Sequence, residues 1–413
     1  MAVHFARGRP LENLGVPDNP RVAKMLGAIW ALLVFNTLGT NGALLLPIPR
    51  PVAQMLTMGA VGVAFVLALV INPRLKFRPG AYLLLLSVLL IGSIASSIRM
   101  ESGTGSLFRC ARFGCFIATL WLISPWMDGT MRFVRQHIRV LLVLLVTVAV
   151  GLVIAPGRAL PALNDGRLTG VLWPLTPPQV GQYAAIVAGL ALLLWLSKLT
   201  DGRSALVVTV PSIGLLLLTH TRTATLGLLV GLLVAGLSMM LTNARARKVF
   251  GWGVVIAGLI AVVAGPLLQT WFLRGQDAQN FTNLTGRAKV WHNLLETPRT
   301  WFENLFGTGL SNKSFDGLPI DNSWYAVFHE QGFLGVVIVA LFLITLLLVA
   351  ISRAPSPARA CAIFLIVYCM TASWTEAGLG DASPYLLNLA IAAGLLSTNA
   401  ANRVEYPQRT SSI

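Results

Sequence analysis

The chain has 413 residues, of which 55% are hydrophobic and 11% are charged, and its formal net charge is +16. Soluble domains carry about 25% charged residues, so this composition excludes a single soluble core. The apolar runs reach the roughly 17–25 residues that a helix needs to cross about 30 Å of hydrocarbon. Apolar residues occur on all faces of these runs, which is typical of helices in lipid and not of barrel strands. The sequence therefore predicts an all-α, polytopic integral membrane protein.

The apolar runs predict about twelve transmembrane helices, divided into two groups by one large extracytoplasmic loop. They lie near residues 25–46, 52–71, 81–98, 107–127, 138–155, 181–197, 205–219, 224–241, 249–270, 332–351, 358–374 and 384–399. The predicted organisation is a polar N-terminal segment (1–24), nine helices (25–270), the large loop (271–331), three helices (332–399) and a polar tail (400–413). No cleavable signal peptide is expected, because the first apolar run is long enough to remain as a span.

The distribution of charge predicts the orientation of these helices. One side of the predicted membrane has 19 Lys and Arg residues against 5 acidic ones, whereas the other side has 12 against 10. The positive-inside rule then places both termini in the cytoplasm and the polar segments 156–180 and 271–331 outside. The basic excess is thus a topology signal, and no nucleic-acid partner is expected.

The segment 166–181, just before the sixth predicted helix, contains three prolines and three glycines. This composition predicts irregular backbone, which persists at membrane depth only when it is buried in protein or lines a wet cavity. Arg167 in this segment either donates to a substrate or is an ordinary arginine that extends to the membrane surface.

The seventh and eighth predicted helices are joined by almost no loop, so His220 and Arg222 should lie at or just below the outer membrane surface. An arginine at this depth is unfavourable unless it has a partner, and its planar guanidinium fits phosphate oxygens. We therefore predict that Arg222 contacts an anion, with neighbouring threonines as hydroxyl donors. His220 is predicted to be a supporting, hydrogen-bonded residue.

The large loop should contain a short helix over residues 286–296. Val290, Leu294 and Leu295 share one face of it, so this helix is expected to lie flat on the membrane. Arg287 at its start is predicted to be a second anion contact.

The loop ends at Asp321 and Asn322, close to the start of the tenth predicted helix. Asp321 either caps this helix or supplies a functional carboxylate. If the helix is continuous, Asp321, Tyr325 and His329 form one stripe at four-residue spacing. Asp321 and His329 are then the candidate bases, and Asn322 and Tyr325 are supporting residues.

Glu376 and Asp381, between the last two predicted helices, either contribute a carboxylate to the site or are solvated, and the solvated state is favoured. The sequence has no P-loop, no Cys/His metal cluster and no G-x-S-x-G elbow, so no metal or cofactor is expected. Arginines and a carboxylate at the outer membrane surface instead favour a lipid-linked substrate whose diphosphate leaves. The arginines would neutralise the diphosphate, and the carboxylate would accept a proton from a sugar hydroxyl.

Three short motifs resemble the O-antigen ligase and O-antigen polymerase superfamily. Asp321-Asn322 precedes Gly332-x-x-Gly335 by nine residues, as a His-Asn pair precedes a G-x-x-G in that family. Thr219-His220-Thr221-Arg222 resembles its Ser/Thr-x-x-Arg edge, and Gly166-Arg167-x-x-Gly170 followed by prolines resembles its R-x-x-G…P-N turn. The number of helices and the late outer loop are also similar. The chain differs from the ligases in having Asp321 where they have His, and from the usual turn in having Pro177-Pro178.

The resemblance implies transfer of a glycan from a polyprenyl diphosphate carrier to an acceptor sugar, on the outer leaflet of the plasma or inner membrane. Arg222 would match the family's diphosphate-binding arginine, Arg287 a second loop arginine and Asp321 the base, with His329 as the alternative base. Asp in place of His favours a polymerase of lipid-linked repeat units over a ligase. Transport of the lipid-linked glycan is the hypothesis from a different class. The expected partners are the donor, the acceptor, the bilayer and a chain-length regulator.

Overall fold

The computed structural model describes residues 20–39, 44–45, 48–100, 103–162, 165–240, 243–266, 269, 271, 287–311 and 313–397. Its helices are α1 (Pro20–Asn36), α2 (Arg50–Ile71), α3 (Ala81–Arg99), α4 (Thr104–Ile123), α5 (Arg132–Ile154), α6 (Pro156–Ala159), α7 (Pro177–Leu196), α8 (Gly202–Leu218), α9 (Arg222–Met240), α10 (Ala244–Val263), α11 (Arg287–Glu296), α12 (Trp301–Phe306), α13 (Ser323–Ser352), α14 (Pro357–Ala372) and α15 (Pro384–Leu395). A 3₁₀ turn, Ser124–Trp126, extends α4. The strands β1 (Ser314–Phe315) and β2 (Leu318–Pro319) form a small antiparallel hairpin. The all-α prediction is confirmed.

Within the described residues, seven helices are long and apolar enough to cross a membrane: α2, α3, α4 with its 3₁₀ turn, α5, α7, α9 and α13. The helices α8, α14 and α15 are also apolar but have 17, 16 and 12 residues. At a rise of 1.5 Å per residue, a 12-residue helix covers about 18 Å of a hydrocarbon core that is roughly 30 Å thick. Each of the twelve predicted segments overlaps a helix, whereas the number of complete crossings stays a prediction.

The first predicted helix ends earlier than expected: α1 ends at Asn36 and not at residue 46. The Asn36 side chain donates to the carbonyl of Thr57 at 2.8 Å, and the backbone carbonyl of Asn36 accepts from the Arg112 guanidinium at 2.7 Å. Arg112 lies inside α4, so a charge within an apolar run stabilises the end of a neighbouring helix.

The helix α7 is the most buried of the seven long apolar helices, and it lies at the centre of the bundle. Two glycines allow its neighbours to approach it closely. A Cβ atom at Gly189 would lie 2.1 Å from the ring of Phe364, and one at Gly181 would lie 2.9 Å from the Thr219 hydroxyl. The second contact presses the start of α7 against the turn between α8 and α9.

The segment before α7 is irregular, as predicted, and the apolar side chains of Leu168, Val171 and Leu175 in it are buried in protein. Leu168 is fully buried, and its amide donates to the carbonyl of Leu218 at 3.0 Å. The helix begins at Pro177, before the predicted residue 181, because Thr176 and Gln179 form a capping box. A proline in the first turn loses no helical hydrogen bond, so the prolines that predicted a turn here in fact open the helix.

The helix α13 is interrupted at Gly332, whose φ of 66° and ψ of −168° are not helical. The interruption releases backbone carbonyls from the helical pattern. Those of His329 and Glu330 accept hydrogen bonds of 2.9 and 3.0 Å from the amides of residues 308 and 309. The segment 307–309 and the break in α13 therefore form one interlocked unit.

Candidate functional site

The turn between α8 and α9 places Arg222 at the first position of α9. Only residues 219–221 link the two helices, which confirms the predicted short connection. Thr219 and Thr221 are buried, and the Thr221 hydroxyl donates to the carbonyl of Pro177 at 3.2 Å. His220 has a φ of 48° and stacks on Trp271 with ring centroids 5.6 Å apart. The turn is thus fixed on both sides, and Arg222 projects from a rigid support.

Arg167 is bonded to the same turn. Its Nε donates to the carbonyl of Thr219 at 3.0 Å, and its terminal nitrogen donates to the Thr221 hydroxyl at 3.4 Å. Burial lowers the pKa of Arg167, Glu376 opposes this change, and the positive charges of Arg287 and Arg222 reinforce it. Arg167 therefore lies within electrostatic reach of two other arginines and of two carboxylates, those of Glu376 and Asp165.

Arg287, the first residue of α11, lies beside Asp321. Its Nε is 3.0 Å from the Asp321 Oδ2, and a terminal nitrogen donates to the carbonyl of Thr375 at 3.1 Å. Both side chains remain about one-third exposed, at 28% for Arg287 and 34% for Asp321. Burial raises the pKa of Asp321, and Arg287 acts in the opposite direction. The guanidinium and the carboxylate therefore form an ion pair that solvent and ligands can reach.

Glu376 approaches this ion pair from the segment between α14 and α15. Burial raises the pKa of Glu376 to about 7, Arg287 and Arg167 lower it, and Asp321 raises it further. The preceding residue, Thr375, shares a short hydrogen bond between its hydroxyl and that of Thr223 on α9. The prediction that Glu376 is solvated is wrong, because the ends of four helices enclose its segment.

Asn322 and Tyr325 hold the start of α13. The Asn322 side chain is the helix cap and accepts from the amides of Trp324 and Tyr325 at 2.8 and 3.1 Å. Its amide nitrogen donates to the carbonyl of Trp374 at 2.9 Å. Tyr325 packs on Trp291 with ring centroids 5.3 Å apart. Since Asn322 is the cap, the Asp321 carboxylate is left for Arg287.

The helix α11 packs on protein. Val290 and Leu294 are buried in a small apolar cluster with Ile320 and Ala326, whereas Leu295 is 55% exposed. The face that was expected to lie on the membrane is thus largely covered by α13. This packing holds Arg287 next to Asp321.

His329 has different neighbours. A terminal nitrogen of Arg299 lies 3.2 Å from its Nδ1, and the ring of Phe315 stands edge-on at 5.7 Å. The predicted stripe of Asp321, Tyr325 and His329 does not form, because Asp321 precedes the helix and Asn322 has extended backbone with a φ of −161°.

A second group of charged side chains surrounds Glu330 on α13. Its Oε1 accepts from the amide and the hydroxyl of Ser311 at 2.9 and 2.8 Å, and from the amide of Lys313 at 3.1 Å. The Lys313 ammonium lies 3.8 Å from Asp381, whose residue is only 5% exposed. The prediction that Asp381 is solvated is therefore wrong, because the loop before α13 packs over it. We regard this group as the anchor of that loop.

The groups that meet at one end of the helical bundle are defined here as the arginine cluster: Arg167, Arg222, Arg287, Asp321 and Glu376. Its members come from five segments that are distant in the sequence. Three guanidinium groups against two carboxylates leave the cluster positive, which suits a multiply charged anion. The sequence placed the arginines and Asp321 in the site, whereas for Glu376 it favoured a solvated carboxylate over a role in the site. The available signal was that Glu376 and Asp381 are the acidic residues of one short segment between two apolar runs.

No protein-family model matches the chain, and no curated protein matches it significantly. The fold and the site define the protein as an all-α membrane protein with an arginine cluster at one end of its bundle.

Proposed function

We propose that the protein is a membrane glycosyltransferase that takes its glycan from a polyprenyl diphosphate carrier. In this proposal it joins lipid-linked oligosaccharide repeat units into a cell-surface polysaccharide. The observation that carries the proposal is the convergence of Arg167, Arg222 and Arg287, from three separate segments, beside two carboxylates. Such an arrangement binds an anion and also provides a proton acceptor.

The charges of the arginine cluster favour a diphosphate as the bound anion. The three guanidinium groups repel one another, as the mutual effects of Arg167, Arg222 and Arg287 indicate. An anion between them would relieve this repulsion, and guanidinium groups form paired hydrogen bonds with phosphate oxygens. The same groups would stabilise the charge that develops on a departing diphosphate.

The position of Arg222 favours a donor that is anchored in lipid. Arg222 begins α9, and the residues that follow on its face are Leu226, Leu229 and Leu233, which are 53%, 61% and 49% exposed. An isoprenoid chain could lie along this apolar face while its diphosphate reaches Arg222. A soluble sugar nucleotide has no part that would use such a face.

The reaction that these groups support is a direct transfer. A hydroxyl oxygen of the acceptor sugar attacks the anomeric carbon of the donor, and the bond from that carbon to the diphosphate oxygen breaks. The hydroxyl proton passes to a carboxylate of the arginine cluster, and the polyprenyl diphosphate leaves with its charge held by the arginines. The bond to the diphosphate supplies the free energy, so no nucleotide is consumed.

The proposed topology places this chemistry on the extracytoplasmic side of the membrane. Twelve crossings with both termini in the cytoplasm would put the arginine cluster on the extracytoplasmic side of a plasma or inner membrane. The excess of Lys and Arg on the opposite side supports this orientation. The lipid bilayer, the donor and an acceptor sugar are then the partners, and a chain-length regulator would act on the product.

The test is a transfer assay with the protein in lipid nanodiscs. Polyprenyl-diphosphate-linked repeat units are supplied without nucleotide and with a chelator, and the glycan products are separated on a ladder gel. Arg222→Ala and Arg287→Ala should each slow transfer by about 10²–10³-fold, because each removes a donor to the developing charge. Asp321→Ala should also slow transfer, because Arg287 loses its ion-pair partner.

Lys289→Ala is the matched control, since Lys289 is exposed on the same helix as Arg287. This variant should transfer at the wild-type rate. A wild-type protein that binds the donor and forms no ladder contradicts the polymerase. Product formed only with a second acceptor indicates a ligase, and movement of intact donor across liposomes indicates a transporter.

A further inference from the structure

We infer that Glu376, and not Asp321 or His329, accepts the proton of the acceptor hydroxyl. The inference rests on the proposed glycosyl transfer and assigns one step of it to one residue. Its basis is how the fold positions the three candidate groups relative to their neighbours.

Glu376 lies on a segment that is held by hydrogen bonds to three helices: α13, α11 and α9. The carbonyl of Glu376 accepts from the Ser323 hydroxyl at 2.6 Å, and the same hydroxyl accepts from the amide of Gly378 at 3.0 Å. The preceding Thr375 is held through its carbonyl by Arg287 and through its hydroxyl by Thr223. The backbone that carries Glu376 is therefore held in a fixed position relative to Arg287 and to α9, which begins at Arg222.

Asp321 is less suited to accept the proton, because its Oδ2 is already engaged by Arg287 at 3.0 Å. Protonation of Asp321 would break that ion pair at the moment when Arg287 should stabilise the leaving group. The geometry instead suits Asp321 to orient Arg287, which makes it a positioning residue.

His329 is less suited for a different reason. Its Nδ1 faces a terminal nitrogen of Arg299 at 3.2 Å, and a guanidinium can only donate. The lone pair on Nδ1 is therefore occupied. If Nε2 also accepted a proton, the His329 ring would become a second cation next to Arg299, which is unfavourable.

The electrostatic surroundings of Glu376 agree with this assignment. Burial raises the pKa of its carboxyl group to about 7; Arg287 and Arg167 face it with positive charge and Asp321 faces it with negative charge. Tyr368 on α14 and Tyr385 on α15 also lie within electrostatic reach of it. A general base is most effective when its pKa is close to the working pH. A bound diphosphate adds negative charge, so it moves the pKa of Glu376 further upward.

In the assigned step, the O–H bond of the acceptor breaks as its oxygen bonds to the anomeric carbon, and Glu376 receives the proton. The diphosphate leaves with the electron pair of its bond to that carbon. The protonated Glu376 returns its proton to water before the next transfer, so the step needs no other reactant.

The experiment compares Glu376→Gln with Asp321→Asn in the transfer assay, with saturating donor and across pH. Glu376→Gln should lower kcat by about 10²–10⁴-fold while donor binding stays close to that of the wild type. The wild-type kcat should fall with decreasing pH below a midpoint at or above about 7, because only deprotonated Glu376 accepts a proton. Glu376→Asp keeps a carboxylate, so it should retain a measurable rate whose kcat also falls with decreasing pH. We call this fall the pH limb.

Asp321→Asn should give the opposite pattern. It should raise KM for the donor and keep the pH limb, with the midpoint moved to lower pH because a negative neighbour of Glu376 is lost. Glu296→Gln is the control, since Glu296 is an exposed carboxylate of α11.

The results distinguish the assignment of Glu376 from the proposed glycosyl transfer. Transfer by Glu376→Gln within tenfold of the wild-type rate, or a loss of the pH limb in Asp321→Asn alone, overturns the assignment and leaves the proposed function standing. Failure of the wild-type protein to transfer from a bound donor overturns both. Donor binding and thermal unfolding of each variant distinguish a lost proton acceptor from a misfolded protein.

Discussion

The break in α13 is predicted to need glycine at residue 332. A Cβ atom there would lie 2.4 Å from the backbone carbon of Leu305 and 2.5 Å from the amide nitrogen of Gly307. These distances are about 1 Å shorter than nonbonded carbon contacts normally allow. The φ of 66° with a ψ of −168° also lies in a region that only glycine occupies readily.

The size of the effect of Gly332→Ala follows from these two terms. Backbone strain of this kind costs about 1–3 kcal/mol, and overpacking costs about 1–3 kcal/mol more. The free energy of unfolding should therefore fall by about 2–6 kcal/mol. At about 2 °C per kcal/mol for a large protein, the unfolding temperature should drop by about 4–12 °C.

The assay is thermal unfolding in detergent, followed by tryptophan fluorescence, together with limited proteolysis. Proteolysis should cut Gly332→Ala faster within residues 297–311, because the backbone bonds to segment 307–309 depend on the break. Gly62→Ala on α2 is the control, since no atom lies within 4 Å of its added Cβ atom, and it should unfold at or above the wild-type temperature. An unchanged unfolding temperature for Gly332→Ala would refute the interrupted helix.

Two further predictions concern the supports of the arginine cluster. Gly181→Ala brings a Cβ atom within 2.9 Å of the Thr219 hydroxyl, so it should displace the turn that carries Arg222. We expect a folded protein that binds the donor more weakly in a binding assay. An unchanged donor affinity would contradict the role of this contact in positioning Arg222. Asn322→Ala removes the cap of α13 and its bond to Trp374, and it should lower stability by about 0.5–2 kcal/mol. Asn322→Ser should restore most of that loss in the same unfolding measurement, whereas equal losses for both would point to another cause.

Local features were predictable from the sequence. Long apolar runs specify helices because backbone groups in lipid must bond within their own segment. The short link before Arg222 follows from the distance between two such runs, and the irregular segment with Arg167 follows from its prolines and glycines. Asn322 lies beside a helix start that the onset of an apolar run already marks.

Features that depend on contacts between distant segments were not predictable in the same way. The sequence does not indicate that Glu376 is partly buried, because its burial depends on Ser323, Arg287 and Thr223 from three other segments. It likewise left open whether Asp321 caps a helix, and the structure decides this by giving the cap to Asn322.

The sequence by itself thus determined an all-α protein with membrane-spanning helices and the approximate place of each long apolar helix. The hydrophobic effect and the need for backbone hydrogen bonds act on every apolar run separately, so these properties can be derived one segment at a time. Only the tertiary structure decided that Arg167, Arg222, Arg287, Asp321 and Glu376 meet at one end of the bundle. The pKa values of Arg167 and Glu376 depend on distances between segments, and packing alone sets those distances.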